Sequence, residues 1–366
     1  MLILSGTNEV IDILPSPEGL YDVEQVNGTI VPGLINAHCH VELSYLQGMI
    51  PRKTGILKFV QGVMQNRREA DEMIIDSMRS AVRDMEQEGI VAVGDISNTA
   101  DSIAVKKSSA IRFKNFIEVM GMIGAVAENR FKYSEAVRQD FENNGLDAVL
   151  VPHAPYSVSD ELFGLLNGSS AGKTISIHSQ ESTAENLLFE LAEGDMLALY
   201  DMLNIPRTQL EPKGISSFRH WYPRLQQAKS IVSVHNSFIS QADLDTIIEN
   251  PVGAGPRLYF CLCPNANLYI ENVLPPIELL MNAGMPICIG TDSLASNDAL
   301  SVMAELNTIR QYFPSIPEAT LLQWATSGGA AALGFDDVLG SFRKGTKPGV
   351  AVIDAQFSSS RLIPAG

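Results

Sequence analysis

The sequence predicts an α/β fold: a (β/α)₈ TIM barrel accompanied by a small β domain. Three observations predict it. Eight continuous apolar runs each end in polar residues, helical segments lie between most of them, and the 366-residue chain is long enough for one such barrel. Continuous apolar strands that alternate with helices indicate a parallel sheet buried on both faces. The active site of such a barrel lies at the carboxyl ends of its strands.

The barrel elements follow one another along the chain. The first strand ends at His40. The other seven strands are predicted at Ile90–Asp95, Ile111–Met120, Ala148–His153, Thr174–His178, Ile231–His235, Leu258–Cys263 and Pro286–Asp292. Between the first two strands, Gly55–Asn66 and Asp71–Glu88 carry apolar residues at helical spacing, and Gly89 is the residue type that favours a helix end. The catalytic barrel is therefore predicted to span residues 31–344.

The two ends of the chain are predicted to meet in a small accessory β domain, residues 1–30 plus 345–366. Met1–Leu4 and Val10–Leu14 are strand-like but too few for an independent core, and Pro348–Asp354 has the pattern of one more strand. Within the barrel, residues 195–227 exceed the usual length of a strand-to-helix link. This insertion is either a lid or substrate wall, or a plain helix–turn insertion.

Charge and composition argue against several classes of function. The formal net charge of −16 repels nucleic acid and anionic membrane surfaces. No apolar run has the length of a membrane span and the start of the chain lacks a basic signal-peptide region, so we expect a cytoplasmic protein. A homodimer is left open. Four cysteines lie in apolar runs without a C-x-x-C motif, and we expect them to be buried thiols: Cys39, Cys261, Cys263 and Cys288.

Histidines concentrate at the predicted strand ends. Five of the six histidines lie there: His38, His40, His153, His178 and His235. His38 and His40 share one face of an extended strand, because alternate side chains point the same way. Neutral imidazole is the commonest protein ligand for zinc and also suits iron. An isolated H-x-H pair is more often chance, but this concentration at one rim indicates a functional site.

Six motifs, in this order, carry a resemblance to a known family. They are Val31–His40 (VPGLINAHCH), Pro152–Ser159 (PHAPYSVS), His178-x-x-Glu181, the strand end at His235, Cys263-Pro-x-x-Asn267 and Gly290–Ser296 (GTDSLAS). The sequence resembles the amidohydrolase superfamily over about residues 31–354. More narrowly, it is similar to the branch of cytosine, guanine, adenosine-type and S-adenosylhomocysteine deaminases and chlorohydrolases. The opening that contains Glu42 and Ser44 is also similar to that of some deaminases acting on aminodeoxyfutalosine.

The resemblance implies a metal-dependent hydrolase whose cofactor is one divalent metal ion, zinc in the first place and iron as the alternative. The implied ligands are His38, His40, His178 and Asp292. His235 would stabilise the oxyanion formed at the attacked carbon, and Asp292 would also orient the attacking hydroxide and accept its proton. Glu181 would face the substrate and carry protons from the water to a ring nitrogen and to the departing ammonia. These assignments make Glu181, His235 and Asp292 the predicted catalytic residues.

Further expectations concern the metal count and the substrate contacts. Binuclear members of the superfamily use a modified lysine at the end of strand four, but this strand ends at His153 without a lysine, which implies a single metal. His153 would contact substrate or fix a neighbouring loop. Glu42 falls on the same face as His40 if the strand continues, and otherwise it caps a loop. Asn267 and Ser296 are the other predicted substrate contacts.

Three functions are compatible with the sequence. The first is an aminohydrolase that replaces an exocyclic amine of a purine, pterin or nucleoside-like heteroaromatic partner with oxygen and releases ammonia. The second is hydrolysis of a C–Cl or cyclic amide bond at the same mononuclear site. Glu181 favours the first, because chloride can leave without a proton. The third is a non-catalytic barrel that keeps a structural metal.

Overall fold

Parallel strands form the centre of the molecule. The computed structural model describes residues 1–16, 19, 23–207, 210–249 and 255–363. Its strands are β1 Leu2–Leu4, β2 Val10–Ile13, β3 Thr29–Pro32, β4 Leu34–Cys39, β5 Ile90–Ser97, β6 Arg112–Val119, β7 Ala148–Pro152, β8 Thr174–Ser179, β9 Ser230–His235, β10 Arg257–Leu262, β11 Ile287–Ile289, β12 Val350–Ile353 and β13 Ser360–Leu362. Strands β4 to β7 form one parallel sheet of four strands and β8 to β11 form another.

Hydrogen bonds at two seams close these sheets into a barrel. The amide of His178 donates to the carbonyl of His153 at 2.9 Å, which joins β8 to the residue after β7. On the opposite side, the amides of Thr291 and Asp292 donate to the carbonyl of His38 at 2.9 and 3.1 Å, which joins the end of β11 to β4. The closed (β/α)₈ barrel predicted from the alternating pattern is confirmed.

Helices cover the outside of the barrel. The α-helices in the described residues are α1 Ile56–Asn66, α2 Glu72–Gln87, α3 Ile103–Lys107, α4 Ala127–Asn143, α5 Asp160–Ser169, α6 Thr183–Leu191, α7 Leu197–Met202, α8 Ser217–Trp221, α9 Gln241–Ile248, α10 Pro264–Ile270, α11 Ile277–Asn282, α12 Val302–Tyr312, α13 Glu318–Gln323 and α14 Gly329–Leu333. Short 3₁₀ turns follow two of the strands, at Val41–Leu46 and Pro155–Ser157. A π-helical turn, Trp324–Gly328, links α13 to α14.

Helix α2 shows how local sequence sets these boundaries. The side chain of Asp71 accepts a hydrogen bond from the amide of Ile74 and so caps the first turn. Ile74, Met78 and Met85 recur at helical spacing and are buried against the barrel. Gly89 then takes φ +86°, a left-handed conformation that strongly favours glycine. The helix therefore ends where β5 has to begin.

The barrel strands are buried along nearly their whole length. Every residue of β4, β7, β8 and β9 is buried. This explains why their sequences are continuous apolar runs instead of alternating patterns. The last strand is shorter than predicted: Pro286–Asp292 was expected, but β11 spans Ile287–Ile289. Asp292 itself has φ +56°, which extended backbone does not allow.

The chain ends meet in two small sheets. Strand β3 pairs antiparallel with β12, and β12 pairs with β13. Strands β1 and β2 form a separate hairpin, which is joined to the end of the chain by hydrogen bonds between Val10 and both Gly345 and Thr346, each 2.9 Å. The bounds 1–30 plus 345–366 for an accessory domain stay a prediction, and residues 17–18, 20–22 and 364–366 of it lie outside the described residues.

Two other expectations concern the insertion and the cysteines. The insertion 195–227 contains α7 and α8, and its residues 208 and 209 lie outside the described part of the chain. All four cysteines are free and buried, as predicted. Over the described ranges, none of the helices combines the length and apolar character needed to cross a bilayer.

A buried ion pair holds the end of β5 against the end of β4. Lys106 Nζ lies 2.5 Å from Asp95 Oδ2, and both side chains are inaccessible to solvent. The same ammonium donates to the hydroxyl of Ser97 at 2.9 Å and lies 4.8 Å from the centroid of the Phe141 ring. The other carboxylate oxygen of Asp95 accepts a hydrogen bond from the amide of Val41 at 2.8 Å. The pair therefore fixes the chain immediately after His40.

Replacement of Lys106 with methionine should lower the free energy of unfolding by about 3–5 kcal/mol, because it leaves the carboxylate of Asp95 buried without its counter-charge. The measurement is the shift of the urea midpoint at unchanged slope. Lys107→Met is the matched control: this neighbouring lysine is exposed, so its replacement should stay within about 0.5 kcal/mol of wild type. Equal shifts for the two variants would contradict a stabilising role of the buried pair.

Candidate active site

Three imidazoles and one carboxylate converge at the carboxyl ends of the strands. Nε2 of His40 lies 3.1 Å from Nε2 of His38 and 3.2 Å from Nε2 of His178. Oδ1 of Asp292 lies 3.3 Å from Nε2 of His40 and 3.6 Å from Nε2 of His38. The four donor atoms all lie within 4.8 Å of one another. The structure thus brings together the four residues predicted as metal ligands.

Neighbouring groups orient these ligands. Nδ1 of His178 donates to the carbonyl of His153 at 2.9 Å, so its Nε2 lone pair points toward the cluster. Oδ2 of Asp292 accepts a hydrogen bond from the Ser296 hydroxyl at 2.6 Å, which leaves Oδ1 for a cation. The left-handed φ of Asp292 turns its side chain inward from the end of β11. Such strained non-glycine conformations are concentrated at functional sites.

The protonation states of the cluster suit a divalent metal. Burial lowers the pKa of His38 and of His40 well below the usual histidine value, so both imidazoles are neutral at neutral pH. Burial acts to raise the pKa of Asp292, but the neighbouring rings of His40 and His235 and the Ser296 hydroxyl outweigh it, and the net pKa is lowered. Neutral imidazoles and an ionised carboxylate are the forms that coordinate a metal. The donor set fits one divalent ion.

A second acid and a further histidine lie beside this cluster. Oε1 of Glu181 lies 3.7 Å from Nε2 of His235, and the pair forms a compact group with Asp292. Burial, and then the charge of Asp292, raise the pKa of Glu181 well above its usual value. The side-chain amide of Asn267 lies 3.3 Å from Nδ1 of His235, with its nitrogen as the donor. Neutral His235 therefore carries its proton on Nε2, which faces Glu181.

These groups form the floor of a cavity of about 450 Å³. His40, His178, Glu181, His235 and Asp292 all contribute to its lining. The rest of the wall is mainly apolar and comprises Ile56, Phe59, Val60, Val63, Met64, Met120, Met122, Ile123, Val126, Leu199, Leu203 and Ile205. A cavity of this size with a few convergent polar groups is typical of a small-molecule site. Three of the wall residues come from the 195–227 insertion, so part of this insertion lines the cavity. Its role as a substrate wall stays a prediction.

The predicted substrate contacts are placed in different ways. His153 lines the cavity, and its Nδ1 lies 2.8 Å from the hydroxyl of Ser157. Asn267 supports His235 and Ser296 supports Asp292, and neither lines the cavity. Substrate contact by any of these three residues stays a prediction.

Glu42 is held by a loop instead of facing the cavity. Strand β4 ends at Cys39, and the chain turns into a 3₁₀ helix, so the extended geometry that would align Glu42 with His40 does not continue. The carboxylate of Glu42 accepts hydrogen bonds from the amides of Asn98 and Thr99 at 3.0 and 3.2 Å. This is the loop-capping alternative. A direct contact between Glu42 and the substrate stays a prediction.

Sequence reasoning assigned no individual site role to the polar residues on one side of the cavity. Arg67, Asn98 and Glu118 all line it. Glu118 interrupts the apolar run of β6, in the order Phe116-Ile117-Glu118-Val119, and it is buried. A carboxylate within an otherwise apolar strand was the available sign, because burying it without a purpose is costly.

The geometry of the site agrees with a comparison to protein families. The model of the amidohydrolase family matches residues 29–363. The chain belongs to the amidohydrolase family. That family was predicted from the motifs, and the prediction is confirmed.

Individual relatives of this amidohydrolase are moderately similar. A 5-methylthioadenosine/S-adenosylhomocysteine deaminase of Haloarcula marismortui is 25% identical over 382 residues, covering 99% of this chain and 80% of the relative. The solved aminofutalosine deaminase of Helicobacter pylori in complex with methylthio-coformycin has a TM-score of 0.78 at 22% identity, with 96% and 86% of the two chains covered. The zinc complex of atrazine chlorohydrolase from Arthrobacter aurescens has a TM-score of 0.69 at 19% identity, with 96% and 81% covered.

The wild-type protein should bind about one divalent ion per chain, and His178→Asn should bind it at least tenfold more weakly, because one of the four donors is lost. The measurement is metal content after dialysis against a metal buffer. His220→Asn is the matched control, since His220 contacts Asp160 and Phe189 and lies outside the cluster. Equal metal content in the two variants would contradict the ligand assignment.

Proposed function

We propose that this amidohydrolase is a metal-dependent aminohydrolase that replaces an exocyclic amine of a purine-like or nucleoside-like heteroaromatic substrate with oxygen. The observation that carries the proposal is the position of Glu181: a buried carboxyl group of raised pKa beside His235 and Asp292, in the lining of the cavity. Deamination needs a group that can both accept and donate a proton near the attacked carbon.

The proposal includes a metal ion, because four residues have the properties of its ligands. His38, His40, His178 and Asp292 have the donor types, protonation states and spacing that one divalent ion requires. Such an ion supplies a Lewis acid that lowers the pKa of a water molecule toward neutrality. We propose zinc, with iron as the alternative. The zinc complex of the chlorohydrolase of the same fold supports this choice.

Three side chains would carry the proton transfers and stabilise charge. The carboxyl of Glu181, whose pKa is raised, would pass its proton to a ring nitrogen, take up one proton from the attacking water and hand it to the amine, which leaves as ammonia. The second proton of that water would go to Asp292 and return to Glu181. Nε2 of His235 carries a proton and can donate to the oxygen that becomes negatively charged at the attacked carbon. Asp292, which keeps its negative charge in spite of burial, is the second proton acceptor.

The cavity supports a substrate of nucleoside size. Its wall is mainly apolar, so an aromatic ring gains from leaving water there, while the polar floor reaches the exocyclic group. The Haloarcula relative is named for deamination of two adenine nucleosides, and the Helicobacter protein was solved with methylthio-coformycin bound. We therefore propose an adenine nucleoside or a similar compound as the substrate class.

Hydrolysis of a C–Cl bond is the second candidate, because the fold is also that of atrazine chlorohydrolase. The buried Glu181 favours deamination over this reaction, since a leaving chloride needs no proton. The proposal further includes action in the cytoplasm, for which the four free thiols are a supporting observation. A homodimer stays a prediction.

An activity screen tests the proposed reaction. Metal-loaded protein is incubated with adenosine, 5′-methylthioadenosine, guanine, a pterin and cytosine, and with atrazine for the alternative. Release of ammonia from at least one amine, with loss of activity after chelation and recovery after zinc addition, is the expected result. Chloride release without ammonia from any amine would replace deamination with the second candidate.

Glu181→Gln should lower kcat for the best amine substrate by about 10²–10⁴-fold, because an amide cannot carry the proton from water to the leaving group. Steady-state ammonia release measures the effect. The control is Glu193→Gln: this glutamate is exposed beyond the end of α6, and its replacement should leave kcat unchanged. A Glu181→Gln enzyme within a factor of a few of wild type would remove the proton-transfer role.

Asn267→Asp should lower kcat by about 10²–10³-fold with little change in KM. A carboxylate at this position would accept a hydrogen bond from Nδ1 of His235 and so take the proton away from Nε2. Asn272→Asp is the control, because Asn272 is an exposed asparagine two residues beyond the end of the same helix. Comparable losses in the two variants would mean that the tautomer of His235 does not matter.

A further inference from the structure

Glu118, in the lining of the cavity, has a carboxylate oxygen without a hydrogen-bond partner among the described residues. Glu118 lies at the end of β6, lines the cavity and has a side chain that is 3% exposed. Its Oε2 accepts a hydrogen bond from the side-chain amide of Asn98 at 3.0 Å. Its Oε1 is buried and accepts none from the described residues. A buried acceptor left without a donor is costly, so its retention requires an explanation.

A network behind Glu118 fixes which oxygen stays free. Arg67 donates to the side-chain oxygen of Asn98 at 2.9 Å, so the amide nitrogen of Asn98 must point toward Glu118. The backbone of Asn98 is held in turn by the carboxylate of Glu42 at 3.0 Å. Glu42, Arg67 and Asn98 therefore position the carboxyl group of Glu118 from one side. The opposite oxygen, Oε1, is left for a donor.

The ring of His178 does not satisfy the free oxygen. Oε1 of Glu118 lies 3.4 Å from Nδ1 of His178, but this nitrogen already donates to the carbonyl of His153 at 2.9 Å. The same hydrogen bond excludes a second metal at Glu118, His153 and His178, because Nδ1 of His178 has no lone pair to offer. Glu118 lines the cavity, so the other donors to consider for Oε1 are groups of a molecule bound there.

We propose that Oε1 of Glu118 accepts a hydrogen bond from a hydroxyl group on the substituent that the substrate carries on its ring, and so selects hydroxylated substrates over their deoxy forms. This inference rests on the proposed function for the orientation of the ring at the floor of the cavity. A site built to bind a hydroxyl group rejects an analogue without it, because the buried acceptor is then left unpaired. Glu118 is thereby a specificity-determining residue.

The test compares substrates and variants as a cycle. Adenosine and its 2′-deoxy, 3′-deoxy and 5′-deoxy forms are measured with metal-loaded wild type, Glu118→Gln and Glu128→Gln by ammonia release and by calorimetric binding. In Glu118→Gln, the amide oxygen pairs with Asn98 and its NH₂ group faces the cavity, so the acceptor is lost. Glu128 is an exposed glutamate near the start of α4 and serves as the control. Asn98→Ala, which frees the carboxylate to rotate, is a second variant with an intermediate effect.

The expected result is a rise of about 10- to 100-fold in the KM and Kd of adenosine for Glu118→Gln, with kcat and metal content nearly unchanged. The deoxy form that lacks the recognised hydroxyl should bind wild type and Glu118→Gln equally. Unchanged adenosine affinity in Glu118→Gln would overturn the proposal. So would equal losses for all four compounds together with a loss of metal, since Glu118 would then act through His178.

The same data separate this proposal from the proposed function. Ammonia release by wild type with no selective effect of Glu118→Gln leaves the aminohydrolase and removes the role of Glu118. Selective binding without ammonia from any compound keeps the hydroxyl subsite and removes the aminohydrolase. If none of the four nucleosides binds wild type, the role proposed for Glu118 is overturned.

Discussion

The seam between β4 and β11 is the interaction on which the site depends. The amides of Thr291 and Asp292 donate to the carbonyl of His38, and this pairing joins the first barrel strand to the last. The same two hydrogen bonds set the carboxylate of Asp292 beside the rings of His38 and His40. Closure of the barrel and assembly of the cation site are therefore one structural event. The four side chains, which are far apart in sequence, come together only because the barrel closes.

This arrangement concentrates buried polar groups at one end of the barrel. Glu181, Asp292, Asp95 and Glu118 are all removed from water within one end of the barrel. Each has a different compensation: a lysine for Asp95, a hydroxyl group and imidazoles for Asp292, a raised pKa for Glu181 and one amide for Glu118. Oε1 of Glu118 has no hydrogen-bond partner among the described residues.

The barrel and the gathering of histidines at its rim were predicted from the sequence for physical reasons, whereas the set of metal ligands was predicted from the resemblance to a family. Strands buried on both faces are continuous apolar runs, and a polar residue that ends such a run has to lie at the rim, as His178 and His235 do. The alternation rule failed for Glu42, since it holds only while the backbone stays extended and β4 ends at Cys39. The apolar wall from residues 197–205 could not be predicted from the sequence, because its position depends on tertiary packing and not on local periodicity.

The cavity is built from two kinds of backbone. The polar residues of its floor lie at the ends of strands that are buried on both faces. Much of its apolar wall belongs instead to α1 and to the segment that holds Leu199, Leu203 and Ile205. Mutations that reshape this segment can accumulate during divergence without disturbing the cation ligands. Such a scaffold is evolvable: a lineage can exchange one small molecule for another while the reactive centre is inherited intact. Proteins of one fold named for nucleosides and for a chlorinated triazine are the pattern that this separation produces.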